Sequence, residues 1–311
     1  MEFVKEQLLV LFSTPIYMLI IGVELLIGHW RHKKLYSLQD TGTNIAFMLL
    51  NALLDLSFRA VYMGIFAALY HYKLITWHNV PLYWLLLLLA EDFLYYWLHR
   101  FDHQVRLFWA VHVTHHSSNY FNFTVGFRSS VLQPLYRFVY FLPLPLLGFT
   151  PTDILLMYSA TQIWGIFVHT ELIHKMGILE HILVTPSHHR VHHASNILYL
   201  DRNMGMFLII WDKCFGTFQA ELPAQQYEPI KYGLTKPLAT TDLANTLTHE
   251  WKDIATDLKR TDITWQQKLQ YIFGPPGYSH DGSRQTSDEL RALTNCNTAE
   301  TAISNNVKIS I

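Results

Sequence analysis

Residues 99–116 read HRFDHQVRLFWAVHVTHH, five histidines in eighteen positions. They fall as His99-x3-His103 and then His112-x2-His115-His116, and His189-x2-His192-His193 repeats the second pattern later in the chain. With 18 histidines in 311 residues, a window of this size holds roughly one by chance. Positions i, i+3 and i+4 of a helix share one face about a turn apart. Each cluster therefore aims its imidazoles at a common point. Neutral imidazole is the commonest protein metal ligand, so the stretch reads as helical and metal-binding.

Working outward, half of the chain is hydrophobic and only 15 % is charged, against about 25 % in soluble domains. The apolar runs are long: Leu8–Gly28, Asn44–Tyr70 with Asp55 and Arg59 spaced to pair at i and i+4, and Pro81–Leu98 interrupted by Glu91 and Asp92. Two shorter runs, Leu132–Phe149 and Thr152–Ile173, flank the turn-like Gly148-Phe149-Thr150-Pro151. About twenty apolar residues cross a bilayer. The expectation is an all-α integral membrane protein with three clear transmembrane helices plus a membrane hairpin, carrying a cytoplasmic histidine-rich helical cap. Packed core helices of a soluble protein are the competing reading, disfavoured by how many such runs occur together.

The loops set the orientation. Arg31, Lys33 and Lys34 follow the first run, whereas the loop 71–80 carries only Lys73. The positive-inside rule puts the first loop in the cytoplasm. Threading the remaining spans then delivers His99 and, after the hairpin, His169 to that same side. All three histidine clusters come out cytoplasmic.

The formal charge of −1 implies no broad attraction to nucleic acid. Two cysteines, Cys214 and Cys296, are too few for a disulfide framework and suit a reducing compartment. No cleavable signal peptide is read at the start. Beyond about Trp211 the chain turns polar. Asp242–Arg260 has the spacing of an amphipathic helix, with Leu243, Leu247, Trp251, Ile254 and Leu258 on one side. A scaffold role and no chemistry is assigned to this part.

A single zinc takes four ligands. The clusters supply His99, His103, His112, His115, His116, His189, His192 and His193, and His169 at the end of the last span makes a ninth. Nine imidazoles oversupply one ion and suit two. Imidazole sites accept zinc, copper, iron or nickel, so spacing alone leaves the metal open. Histidines 29, 32, 71 and 78 read as interfacial and 249 and 280 as surface residues, while 174 and 181 lack helical partners. His188 also pairs with His192 at i+4 and is kept as a supporting residue behind the ligands. Asp92 lies seven residues before His99, within about 20° of the same helix face. It reads as an acceptor for the second N–H of a ligand histidine, or as a partner for Arg59. Arg190 inside the third cluster is a candidate for a phosphate headgroup or substrate carboxylate, with packing or snorkelling as its alternative.

The order His-x3-His, His-x2-His-His, His-x2-His-His behind membrane spans resembles the fatty acid hydroxylase/sterol desaturase superfamily from about Leu85 to Gln219. Finer matches are His115-His116-Ser117-Ser118-Asn119-Tyr120, Arg128-Ser129-Ser130-Val131-Leu132-Gln133, residues 185–193 (TPSHHRVHH), and Leu208-Ile209-Ile210-Trp211-Asp212-Lys213 with Phe215-Gly216-Thr217-Phe218. These resemble the alkylglycerol monooxygenase-like branch. The resemblance implies an integral membrane, non-haem di-iron oxidoreductase that uses O2 to hydroxylate or desaturate a sterol, fatty acyl or alkylglycerol ether lipid. It also implies a tetrahydropterin as external reductant. Two departures stand out. Gln104 replaces the acidic residue of that branch, and Ile173 stands where other hydroxylases carry the second histidine of a further pair. The implied organisation is N-terminal transmembrane helices over 1–80, a hydroxylase-like catalytic domain over 81–220, a cytoplasmic helical extension over 221–293 and a disordered tail over 294–311.

No Gly-x-Gly-x-x-Gly fingerprint and no haem or iron–sulfur cysteine module occurs, so an external electron donor is expected. A histidine-rich membrane metal transporter or sensor is the main alternative. Transporter sites, however, lie near the bilayer midplane, whereas these clusters follow the spans. A zinc hydrolase lacks its His-Glu-x-x-His.

Overall fold

The structure is a computed structural model that describes residues 2–240 and 242–294. Its first two helices are α1 (Glu2–Trp30) and α2 (Leu38–Tyr70). Within them, Leu11–Trp30 and Leu38–Tyr70 are the two stretches long and apolar enough to cross a membrane. Their apolar side chains point outward: Leu19, Leu26, Leu53 and Leu56 are each more than 60 % exposed. Such a surface is costly in water and costs nothing against lipid tails.

The polar residues of these helices face inward instead. Asp55 accepts from Arg59 Nη2 at 2.7 Å, as the i, i+4 spacing leads one to expect, and also pairs with Arg137. Glu24, fully buried, accepts from Tyr36, Thr170 and the Phe123 N–H. The ties from Asp55 to Arg137 and from Glu24 to Phe123 and Thr170 join the long helices to the part of the chain that carries the histidines.

The third apolar run forms α3 (Val80–Gln104), capped by Asn79, whose side chain accepts from the Leu82 N–H at 3.0 Å. It turns Glu91, Asp92, His99, Asp102 and His103 into the protein interior. A single non-helical residue, Val105, separates it from α4 (Arg106–His116). Tyr62, Phe66, Leu87, Tyr95, Leu98, Phe141, Leu144 and Ile154 form an apolar core that joins α2 and α3 to residues 141–154.

The expected hairpin is corrected in its first limb. Leu132–Phe149 is not one helix: it breaks into a short turn at Gln133–Leu135, α5 (Arg137–Tyr140) and α6 (Pro143–Leu146). Pro134, Pro143 and Pro145 explain the break, since each removes a helix donor and clashes with the preceding turn. The second limb is a helix, α7 (Pro151–Phe167), started by the Thr150 cap and Pro151. Between them Gly148 adopts φ 88°, and a Cβ there would stand 2.1 Å from the Ile75 carbonyl oxygen. Gly148→Ala is accordingly expected to cost about 2–4 kcal/mol, read as a lowered Tm of the detergent-solubilised protein.

The third histidine cluster is on α8 (Pro186–His192), and α9 (Ile210–Phe215) comes after it. The polar extension supplies α10 (Leu243–Leu258), capped by Asp242, and α11 (Trp265–Phe273). Arg106 fastens α4 to both. It donates to Glu250 at 2.6 Å, to Asp257 at 2.5 Å and to the Tyr271 carbonyl at 3.3 Å. Among the described residues there is no strand, only isolated bridges pairing Leu183 with Leu208 and Ala194 with Tyr232. Apart from Thr294, the expected disordered tail lies outside the described residues.

Candidate metal centre

All nine histidines singled out from the sequence converge. His99, His103, His112, His116 and His192 form one group, and His115, His169, His189 and His193 a second. Within each, one ring nitrogen per residue lies within 4.8 Å of the others. Helix geometry decides the partition. On α4 the i, i+4 pair His112/His116 serves the first group while His115 turns to the second; around α8 the pair His189/His193 serves the second while His192 turns to the first. Each of these two clusters thereby reaches both groups. The groups touch where His116 and His193 stack with ring centroids 4.4 Å apart.

Hydrogen bonds identify the nitrogens that face inward. The Nδ1–H groups of His99, His115, His169 and His192 donate to the carbonyls of Met204, Arg128, Gly165 and Arg202 at 2.7–3.0 Å. A carbonyl can only accept, so the proton is on Nδ1 and Nε2 keeps its lone pair. His103 Nδ1 stands 3.1 Å from the Asp201 carboxylate, and His112 Nδ1 stands 2.9 Å from Ser130 Oγ. The Nε2 atoms then crowd together at 3.0–3.2 Å: His99 with His112, His112 with His116, and His169 with both His189 and His193. His103 Nε2 and His192 Nε2 are buried with no hydrogen-bond partner at all. Unsatisfied buried nitrogens cost about 1–3 kcal/mol each, and a cation among them removes that cost. This donor chemistry fits imidazole-bound metal.

Burial holds the imidazoles of His112, His116, His189, His192 and His193 well below their ordinary range, and neighbouring histidines add to the shift. His115 is pushed down to about 4, by burial first. The fold thus disfavours protonation that the unfolded chain permits below about pH 6.5. Below that value the unfolded state binds more protons, so stability falls as pH drops; for His115 the loss runs from about 6.5 to about 4. Metal-free protein is expected to show a Tm that declines across this window, and metal loading to raise the Tm while extending the decline to lower pH, because bound metal keeps protons off the folded state.

The supporting residues differ from expectation. Asp92 meets neither His99 nor Arg59. Its carboxylate accepts from the Phe207 and Leu208 N–H groups, both at 3.0 Å, and from Trp211 Nε1 at 2.9 Å. It orients His99 at one remove, by holding the loop that carries the Met204 carbonyl. His188 lies outside both groups, where its Nε2 stands 3.1 Å from Glu180. Arg190 binds Glu221 and the carbonyls of Thr170, Ile173 and His174, so its donors are committed within the fold and it presents no free cation to a headgroup. The acceptors that fix the tautomers, being mostly backbone carbonyls, have no side-chain signature in the sequence. Only the left-handed backbone of Asp201 (φ 52°) and Asn203 (φ 57°) marks the loop that brings Asp201 and Arg202 to the rings.

A cavity of about 670 Å³ opens on the first group at His103, His116 and His192. Its far wall comes from the extension, including Leu234, Leu238, Asn245, Lys252 and Gln285. The extension, assigned no chemistry from its sequence, is part of the site. Trp109 lines the same cavity and lies over His103 at 5.2 Å between centroids.

Against known proteins, residues 84–217 match the fatty acid hydroxylase model. The alkylglycerol monooxygenase of Homo sapiens is 36 % identical over 289 residues, which cover 91 % of this chain and 63 % of that protein. The Danio rerio alkylglycerol monooxygenase is 34 % identical over 238 residues, covering 74 % and 51 %. An ornithine lipid hydroxylase from Rhizobium tropici is 32 % identical over 133 residues, covering 42 % and 40 %. The chain thus spans less than two thirds of the length of these relatives. No solved structure matches it significantly. The matched segment holds all three histidine clusters, and with these relatives it shows that the chain belongs to the fatty acid hydroxylase family.

Proposed function

We propose that this protein is a membrane-bound, non-haem di-iron oxidoreductase that uses O2 to hydroxylate or desaturate a lipid. The observation that carries the proposal is the division of nine histidines, eight buried and His115 half-buried, into groups of five and four. In this reading His99, His103, His112, His116 and His192 hold one iron and His115, His169, His189 and His193 the other. Bound iron supplies the activation of O2 and the oxidation of an unactivated C–H bond.

The chain's own residues do the rest. The Nδ1 acceptors of His99, His103, His115, His169 and His192 hold those rings in one tautomer and one orientation, so their Nε2 lone pairs are in place before metal arrives. Phe121 covers the second group, 5.4 Å from His169 and 5.3 Å from His193 between centroids, and Tyr232 stacks on it at 5.0 Å. This aromatic pair excludes water from one side. Hydroxylation inserts one oxygen atom and reduces the other to water, which takes two electrons and two protons from outside the lipid. With no nucleotide or haem motif in the chain, an external donor supplies them, and similarity to the alkylglycerol monooxygenases favours a tetrahydropterin. The cavity at His103 and His192 has the size of a small-molecule site and suits that donor.

Within the lipid class, an alkylglycerol ether is the narrower reading. The positive charges after α1 favour the cytoplasmic side for the histidines, and in this reading α3 spans the membrane beside α1 and α2. The test is turnover of alkylglycerol, fatty acyl and sterol substrates by iron-loaded protein under isotopically heavy O2. A lipid alcohol or its breakdown product carrying the heavy oxygen supports hydroxylation. Label in no product, with desaturation absent too, contradicts the proposal.

A further inference from the structure

Between α7 and the third histidine cluster, Ile173, Ile178, Leu179 and Ile182 are 40 %, 77 %, 37 % and 52 % exposed. This segment is held firmly. The Arg190 guanidinium binds the Ile173 and His174 carbonyls, Lys213 donates to the His181 carbonyl at 3.0 Å, and the Ile209 N–H donates to the Ile182 carbonyl at 3.0 Å. Four aliphatic side chains are thus displayed by a fixed backbone, which hydrophobic burial alone would not leave in water.

The anchors of the segment fix its depth. Thr170, at its start, donates to Glu24. Glu24 lies six residues before Trp30, where the apolar stretch Leu11–Trp30 ends, so Thr170 sits about 9 Å inside the end of that stretch. At the other end, the Val184 carbonyl accepts from Trp164 Nε1 at 2.9 Å, and Trp164 is three residues before the end of α7. Tyr17 donating to the Ile163 carbonyl at 3.3 Å ties α7 to α1 at the corresponding level. The segment therefore leaves and rejoins the body at levels still within the apolar belt of α1.

We propose that residues 173–182 form a lip seated in the lipid leaflet, past which the substrate's hydrocarbon chain reaches the second histidine group. The occupant is bilayer lipid. The lip starts at the level where α1 exposes Val23, Leu25 and Leu26, and exposed Lys175 and Lys213 beside it suit the headgroup level. The lip is the stretch of chain that joins two residues of the second group, His169 preceding it by four residues and His189 following it by seven. The substrate part rests on the lipid oxidoreductase reading above; the seating in the leaflet does not.

The test uses the full chain in phospholipid nanodiscs with Cys214 and Cys296 changed to serine. Nitroxide labels are placed at Ile178→Cys, Ile182→Cys and, as a water-facing control, Ala255→Cys. The expected result is relaxation of the first two by dissolved O2 and shielding from a water-soluble nickel chelate, with the reverse at the control. In parallel, Ile178→Asp/Ile182→Asp is expected to raise KM for vesicle-borne lipid about tenfold with kcat and iron content retained; if that pair loses iron, the corresponding serine pair is measured instead. Labels as exposed to nickel as the control, or shielded from both reagents by a protein contact, overturn the seating. An unchanged lipid KM overturns the entry route. Wild-type protein that binds no iron contradicts the oxidoreductase reading separately, leaving the label result to stand by itself.

Discussion

His112→Ala is expected to lower turnover by about a thousandfold or more and to deplete bound metal, while His71→Ala leaves both unchanged. His112 has a central place in the first group, its Nε2 within 3.1 Å of His99 Nε2 and 3.2 Å of His116 Nε2. Its Nδ1 is engaged by Ser130 and lies 3.9 Å from the Asp102 carboxylate. Alanine removes a ligand from the middle of the group and leaves Ser130 without its ring partner. His71 is exposed and belongs to neither group, so it controls for non-specific loss of a histidine. The measurements are kcat and iron per chain on the same preparations. Retained metal with retained turnover in His112→Ala would remove the first group from the mechanism.

Asp92→Ala is the second change with a large expected effect, a destabilisation of about 3–6 kcal/mol. Three donors, the N–H groups of Phe207 and Leu208 and Trp211 Nε1, lose their acceptor in a site where Asp92 itself is fully buried. Each stranded donor costs about 1–3 kcal/mol. The loop they hold carries the Met204 carbonyl that fixes His99, and its N–H groups at Met204 and Gly205 are held in turn by Asp212 at 2.6 Å and 2.8 Å. A Cβ at Gly205 would lie 2.7 Å from the Leu208 carbonyl oxygen, so the loop has no room to relax. Asp92→Asn keeps an acceptor and is expected to lose less. Thermal unfolding with parallel metal analysis checks both, and a Tm for Asp92→Ala equal to wild type would show that the loop holds without the carboxylate.

Interactions with a local signature were legible in the sequence, and those set by tertiary packing were not. Helical spacing brought the histidines of each cluster to one side of the chain, and the eight residues picked on that basis converge together with His169, picked from its place at the end of the last span. Spacing also matched Asp55 to Arg59. It did not reveal that His115 and His192 each turn away from their own cluster's pair, because that depends on how α4 and α8 face one another. Pro134, Pro143 and Pro145 were visible, yet the hydropathy of 132–149 outweighed them, and a helical limb was expected where the chain is broken. Asp92 was aimed along its own helix at His99, whereas its partners lie more than a hundred residues later. The polar extension gave no sign that it would wall a cavity at His103, since none of its residues carries metal-ligating spacing.

The most direct test of the account is the metal content of wild-type protein, purified in detergent after expression with iron and measured by elemental analysis with Mössbauer spectroscopy. The expected result is about two irons per chain in a nitrogen-rich environment. One zinc per chain, or well-folded protein that takes up no metal, would contradict it.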